Sequence, residues 1–226
     1  MVKKYAKYIS VFILIPMLIL LGALLYPERS YTVVSLGVAA LACVPFFISF
    51  EKKKSHSTRT IVMLAVMTAL SVAGRFIFAP VPFFKPVTAI VVIAGMYFGA
   101  EFGFLTGALS AVISNFYFGQ GAWTPFQMFS WGIIGFIAGL LNNPLIRSKI
   151  VLIIYGALAG VAYSLIMDVW TVLWMDGIFN PLRFFAAVIS ALPVTAEYMV
   201  SNVIFLLILT PLFSKKIERL KNKYGI

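Results

Sequence analysis

The chain has 226 residues, of which 62% are hydrophobic and only 11% charged, with a mean hydropathy of +1.02 and a formal net charge of +11. A soluble domain averages about 25% charged residues, and this chain carries too much apolar surface for one aqueous core, so lipid is its solvent. A single Cys (Cys43) excludes an intrachain disulfide, and a single His (His56) excludes a metal site built on several histidines.

The apolar runs predict eight spans. Residues 9–26 and 31–50 are free of charge and long enough to cross, since about 20 apolar residues span a bilayer. Lys3, Lys4 and Lys7 precede the first run, as in a signal peptide. No small-residue cleavage site follows, however, and "YPERSY" leads straight into the second run, so the pair reads as a helical hairpin. "EKKKSHSTR" (51–59) is a polar linker. Further spans are predicted near 60–78, 87–100, 103–118, 126–141, 150–174 and 185–212. The expected class is an all-α integral membrane protein. It divides into a two-helix extension with its linker (1–55) and a six-helix core with a basic tail (56–226).

The positive charge marks topology. Fourteen of the 18 Lys and Arg residues fall before the first span, in the linker, at Arg147 and Lys149, or in the tail from Lys215 to Lys223. With eight spans all these segments share one side, and the positive-inside rule makes it cytoplasmic, both termini included. Arg29, Lys85 and Arg183 fall in outer loops, and Arg75 falls within a span. This distribution speaks for a lipid surface and against nucleic acid.

Small residues recur every fourth position at Ala65/Ala69/Ala73, Gly103/Gly107/Ala111, Gly135/Gly139 and Gly156/Gly160. That spacing puts them on one helix face, where another backbone can approach closely. Most such ridges serve packing within the bundle. The ridge at Ala65, Ala69 and Ala73 begins just after the basic linker, near the cytoplasmic surface, where it is a candidate for docking a partner helix.

A polar layer crosses five spans. Counting inward from the cytoplasmic helix ends at 1.5 Å per residue places Arg75 and Glu197 at roughly 22 Å, Gln127 at about 21 Å, Asn115 at about 18 Å and Asp168 at about 27 Å. Ionisable groups at such depth are costly and mark functional candidates. Arg75 and Glu197 share a depth and have opposite charge, which predicts a pair. The layer is either a structural ion pair with satisfied amides or the floor of a pocket open to the outside.

Above it lies an aromatic rim. The loop "FAPVPFFKP" (78–86) brings Phe83, Phe84 and Lys85, stiffened by its prolines. "YFGQGAWTPFQ" (117–127) brings Tyr117, Trp123 and Thr124. Trp170 and Trp174 stand one turn apart on the seventh span. Such aromatics form either an interface belt or the walls of a site for a flat, partly apolar ligand. Asp176 and Arg183 are further candidates for polar rim contacts. No phosphate-binding loop, nucleophile elbow or zinc-helix motif is present in the sequence, so the chain reads as a binder without ATP machinery or enzyme chemistry.

Residues 57–215 resemble the substrate-binding (S) component of energy-coupling factor (ECF) vitamin transporters. The resemblance rests on "LAVMTALSVAGR" (64–75), "GMYFGAEFGFLTGALSAVISN" (95–115) and "GAWTPFQMFSWGIIGFIAGLL" (121–141) in that order. It implies a six-helix core that binds a vitamin at its outer face. It also implies docking, through the ridge of the first core helix, onto a membrane coupling protein carrying two ATPase subunits. ATP is then used by those partners, and toppling of the S component releases the vitamin inward. The two N-terminal spans depart from the family's six-helix pattern. "WTPFQMFSWG" is most similar to S components assigned to cobalamin. Folate, riboflavin and pantothenate remain alternatives, as does a self-sufficient secondary transporter. No cofactor or metal is expected on this chain itself.

Overall fold

The computed structural model describes residues 8–14, 16–17, 58–121, 123–176 and 179–224. The expected helical hairpin and the division at residue 55 fall largely outside the described residues. Among the latter, every regular element is helical. A π-helical turn (Ser10–Leu14) precedes α1 (Thr58–Ile77), α2 (Val87–Phe98), α3 (Ala100–Phe118), α4 (Trp123–Leu140), α5 (Asn142–Arg147), α6 (Lys149–Asp176) and α7 (Pro181–Tyr224). Three of them, α1, α6 and α7, are long and apolar enough by length and composition to cross a membrane. The chain is an all-α membrane protein.

The centre of the bundle is α2, which is buried along all but its last residue and touches α1, α3, α4, α5 and α7. Its twelve residues carry no charge, and its apolar side chains join the buried core cluster. The sequence ends α2 with Gly99, whose φ of 103° is open to glycine and strained for other residues. Its N–H closes on the Gly95 carbonyl at 2.9 Å, and α3 starts in the next residue.

A glycine seam binds α2, α3 and α4. A Cβ on Gly95, Gly103 or Gly135 would strike backbone atoms of the facing helix, and one on Gly139 would strike Ala100. Backbones in lipid gain their packing from such close approach. The polar residues of α3 are tolerated because each hydroxyl bonds back one turn: Thr106 to the Phe102 carbonyl at 2.9 Å, Ser110 to Thr106 and Ser114 to Ser110, both at 2.6 Å.

The outer helices behave differently. One face of α1 packs inward through Leu64, Met67, Thr68, Ser71 and Gly74. Ala65, Ala69 and Ala73 lie on the other face, all exposed. The π-helical segment reaches the core too, with the Tyr8 and Phe12 rings edge-on to the buried Phe136 ring of α4 at 5.9 and 5.6 Å.

Two boundaries differ from expectation. First, α4 starts at Trp123 rather than near 126, because Pro125 fits the first helical turn, where no N–H is required. Second, α7 runs through Pro193 and Pro211 to Tyr224 instead of stopping near 212. Past that point Ile217 is still only 2% exposed, so the helix keeps an apolar face against the bundle while carrying the basic tail. Its start is conventional: the Asn180 side chain accepts from the N–H groups of Leu182 and Arg183 at 3.1 and 3.2 Å, with Pro181 as the first helical residue.

Candidate functional site: a donor-lined cavity at one end of the bundle

A cavity of about 240 Å³ opens at the end of the bundle that carries the α1–α2 and α3–α4 connections, opposite the Gly99 turn. Arg75, Phe83, Lys85, Val87, Thr88, Gln127, Trp131, Tyr163, Tyr198 and Asn202 line it. They come from five helices and one loop, and the fold explains how each arrives.

Arg75 sits in the last turn of α1 and turns toward α3. One terminal nitrogen, Nη1, donates to Ser114 Oγ and to Asn115 Oδ1, the latter at 2.7 Å. The guanidinium carbon also lies over the Phe118 ring at 4.6 Å and the Trp131 ring at 5.3 Å. Behind it a buried relay continues. The Asn115 amide donates to Thr124 Oγ1 at 2.9 Å and to Gln127 Oε1 at 2.8 Å, and Gln127 Nε2 donates to the Tyr163 hydroxyl at 3.2 Å. Asn115 and Thr124 are fully buried and act through Arg75 and Gln127 rather than touching the cavity.

The walls are aromatic. Trp131 and Tyr163 stack at 5.3 Å and 24°, Tyr198 meets Tyr163 edge-on at 5.1 Å, and Phe83 meets Tyr198 edge-on at 5.8 Å. Phe83 takes φ 51°, a left-handed conformation that costs about 1–2 kcal/mol outside glycine. Its neighbour Lys85 fastens the loop. The Lys85 ammonium donates to the carbonyls of Phe78, Ala79 (3.3 Å) and Val81. Its backbone N–H donates to Ser201 Oγ at 3.0 Å, and that hydroxyl donates back to the Lys85 carbonyl at 3.2 Å. Burial, and then the Arg75 charge, hold the Lys85 ammonium below the usual lysine range.

Among the sequence-derived candidates, Arg75, Phe83, Lys85 and Gln127 line the cavity, with Asn115 and Thr124 directly behind. The others stand elsewhere. Phe84 packs under the loop against Phe78 and Phe205. Tyr117 is 75% exposed, with its ring edge-on to Phe76. Trp123 and Trp170 meet each other at 5.9 Å, and Trp174 is half-exposed. Asp168 is buried off the cavity, with one carboxylate oxygen unbonded. Asp176 and Arg183 pair with each other at 2.7 Å.

The expected Arg75–Glu197 pair is not formed. Arg75 faces Ser114 and Asn115, while Glu197 is exposed. The reason is rotation about the helix axis: at 3.6 residues per turn, adjacent positions point about 100° apart. Tyr198 takes the inward position, so Glu197 is turned out. Thr88, Trp131, Tyr163, Tyr198 and Asn202 were not on the sequence-derived list. The available signal was Tyr198 and Asn202 one turn apart in an otherwise apolar stretch, which marks a polar stripe on α7.

These helices and this cavity define a class: a membrane-embedded helical protein with a polar, aromatic-walled cavity at one end. The family model for the S component of the ECF-type riboflavin transporter matches residues 55–219. The chain belongs to that family, which is one of transporter subunits and not of enzymes. A UPF0397 protein of Vibrio atlanticus (strain LGP32) is 31% identical over 91 residues, covering 38% of this chain and 50% of the relative. The chain thus spans about half the length of this curated relative. No solved structure matches. The family model carries riboflavin in its name, and the cobalamin subtype expected from "WTPFQMFSWG" has no support in these matches.

Proposed function

We propose that this chain captures a vitamin at the cavity end, which faces outward, and delivers it inward when docked on an ATP-driven coupling module. Family membership supports the transport role. The observation that carries the capture step is the buried Arg75–Asn115–Gln127–Tyr163 relay, which fixes polar groups at the floor of an aromatic cavity. The exposed ridge of Ala65, Ala69 and Ala73 is the proposed docking face for the membrane coupling protein, which carries two ATPase subunits. The basic linker and tail support a cytoplasmic position for both termini.

The size of the site bears on the ligand. Pockets for drug-sized ligands run about 300–1,000 Å³, and this one lies below that range. The fused-ring head of a vitamin is the part that would lie against Trp131, Tyr163 and Tyr198, and riboflavin is the first to test. A corrin is far larger and would have to rest on the rim, so the cavity weighs against cobalamin. The test is uptake into proteoliposomes, using labelled riboflavin, folate, pantothenate and cobalamin. The expected result is uptake of one of these only when the coupling module and internal ATP are both present.

A stand-alone transporter is the second reading, and one observation favours it. A cavity of about 310 Å³ lies at the opposite end, lined by residues that include Tyr97, Lys149, Leu206, Thr210 and Glu218. One turn of α7 separates its Leu206 from Asn202 of the first cavity. Uptake by the chain alone on an ion gradient would establish that reading instead.

A further inference from the structure

On its Arg75 side the cavity presents donors, and this polarity follows from the relay behind it. A guanidinium has five N–H donors and no acceptor. Two of Arg75's are used, both on Nη1; the remaining three, on Nε and Nη2, have no acceptor among the described residues. No carboxylate among the described residues comes within ion-pair distance of Arg75. The Asn115 carbonyl oxygen accepts from Arg75, and the Gln127 carbonyl oxygen accepts from Asn115. The Tyr163 oxygen in turn accepts from Gln127, which leaves the Tyr163 O–H to point elsewhere as a donor. Each acceptor in the relay therefore already takes a bond from within the protein. Lys85 adds cationic field, but its three ammonium donors are spent on loop carbonyls.

A partly buried cation without a counter-ion is costly, and inside a membrane span it marks a site for a partner. We infer that Arg75 selects the ligand: the vitamin presents hydrogen-bond acceptors to the Arg75 guanidinium and the Tyr163 hydroxyl, while its ring lies along Trp131, Tyr163 and Tyr198. Two vitamin chemistries offer such acceptors, a carboxylate and the two carbonyls of a flavin's dione edge, which flank the ring's N3–H. Cationic vitamins are excluded, because the cavity would set their charge against Arg75. The inference rests on the capture role proposed above and extends it to the ligand's chemistry.

The test is a binding panel on the full chain in lipid nanodiscs, read by calorimetry. The panel is riboflavin for the dione, pantothenate and biotin for the carboxylate, and thiamine for the cation. At least one of the first three binds, and thiamine does not. Arg75→Gln weakens that binding about 30-fold or more, as expected for loss of a desolvated charged contact. Arg75→Lys separates the two sources. A carboxylate tolerates the point charge of Lys and loses about tenfold or less, whereas a dione needs the planar fork and loses as much as with Gln. Tyr163→Phe removes one donor without touching Arg75 and weakens binding about three- to tenfold.

The inference is overturned if thiamine binds, if riboflavin, pantothenate and biotin all fail to bind, or if Arg75→Gln and Tyr163→Phe each hold the ligand within threefold of the parent. It is also overturned if Arg75→Gln leaves affinity intact in properly folded protein. Its failure is distinct from failure of the transport reading. Arg75-dependent binding with uptake that needs no coupling module sinks the transport reading alone. Thiamine binding with module-dependent uptake sinks only the inference.

Discussion

Two rows of small residues in this chain share the same four-residue spacing and do opposite things. Gly103 and Gly107 on α3, with Gly135 and Gly139 on α4, are pressed backbone to backbone, and no side chain fits between them. Ala65, Ala69 and Ala73 on α1 are exposed and flanked by the exposed aliphatics Ile61, Val62, Val66 and Leu70. The first row is a seam that holds the bundle together. The second is a smooth track on its outside. Spacing tells that a face is smooth; only the packing of neighbouring helices tells whether the face is used up.

Substitutions separate the two rows by size of effect. Gly135→Leu is the largest, because its Cβ alone meets the Gly103 backbone and the Val91 side chain. A loss of about 3 kcal/mol or more is expected, read as a collapsed melting temperature or failure to purify as a monodisperse species. Asn115→Leu comes next. It removes the partner of the Arg75 guanidinium, the Thr124 hydroxyl and the Gln127 carbonyl, at about 2–3 kcal/mol, measured by thermal unfolding in detergent. Gly99→Ala is smaller, at about 1 kcal/mol, since nothing lies within 4 Å of the new Cβ and only the φ of 103° is strained. Ala69→Leu is the smallest, within about 0.5 kcal/mol, as for most exposed positions. A melting loss at Ala69 comparable to that at Gly135 would erase the distinction between seam and track.

Much of this architecture was legible in the sequence. Apolar runs located the six core helices, all but the far end of α7 to within a few residues, because lipid leaves a long apolar helix little alternative. The lone Arg75 stood out for the same reason. What the sequence hid was rotation. Depth can be counted along a helix from its end, but the inward face depends on neighbours far away in sequence. Hence Glu197 looked like the partner of Arg75, although Tyr198, one residue on, occupies the inward position. Tyr163 and Asn202 were hidden because single polar residues in an apolar span look alike whether they meet a ligand or only a carbonyl. Asn202 does both: it lines the cavity and donates to the Gly156 carbonyl at 3.2 Å. Trp123 was read as loop because Thr-Pro suggests a break, whereas a proline in the first turn suits a helix start.

The track on α1 gives the account its most direct test. Ala65→Leu and Ala69→Leu are combined in the full chain, and vitamin binding and capture by the coupling module are measured on the same preparation. The account predicts vitamin affinity within about twofold of the parent and loss of capture by the module. Loss of both, or retention of both, would contradict it and return the Ala65 row to ordinary lipid-facing surface.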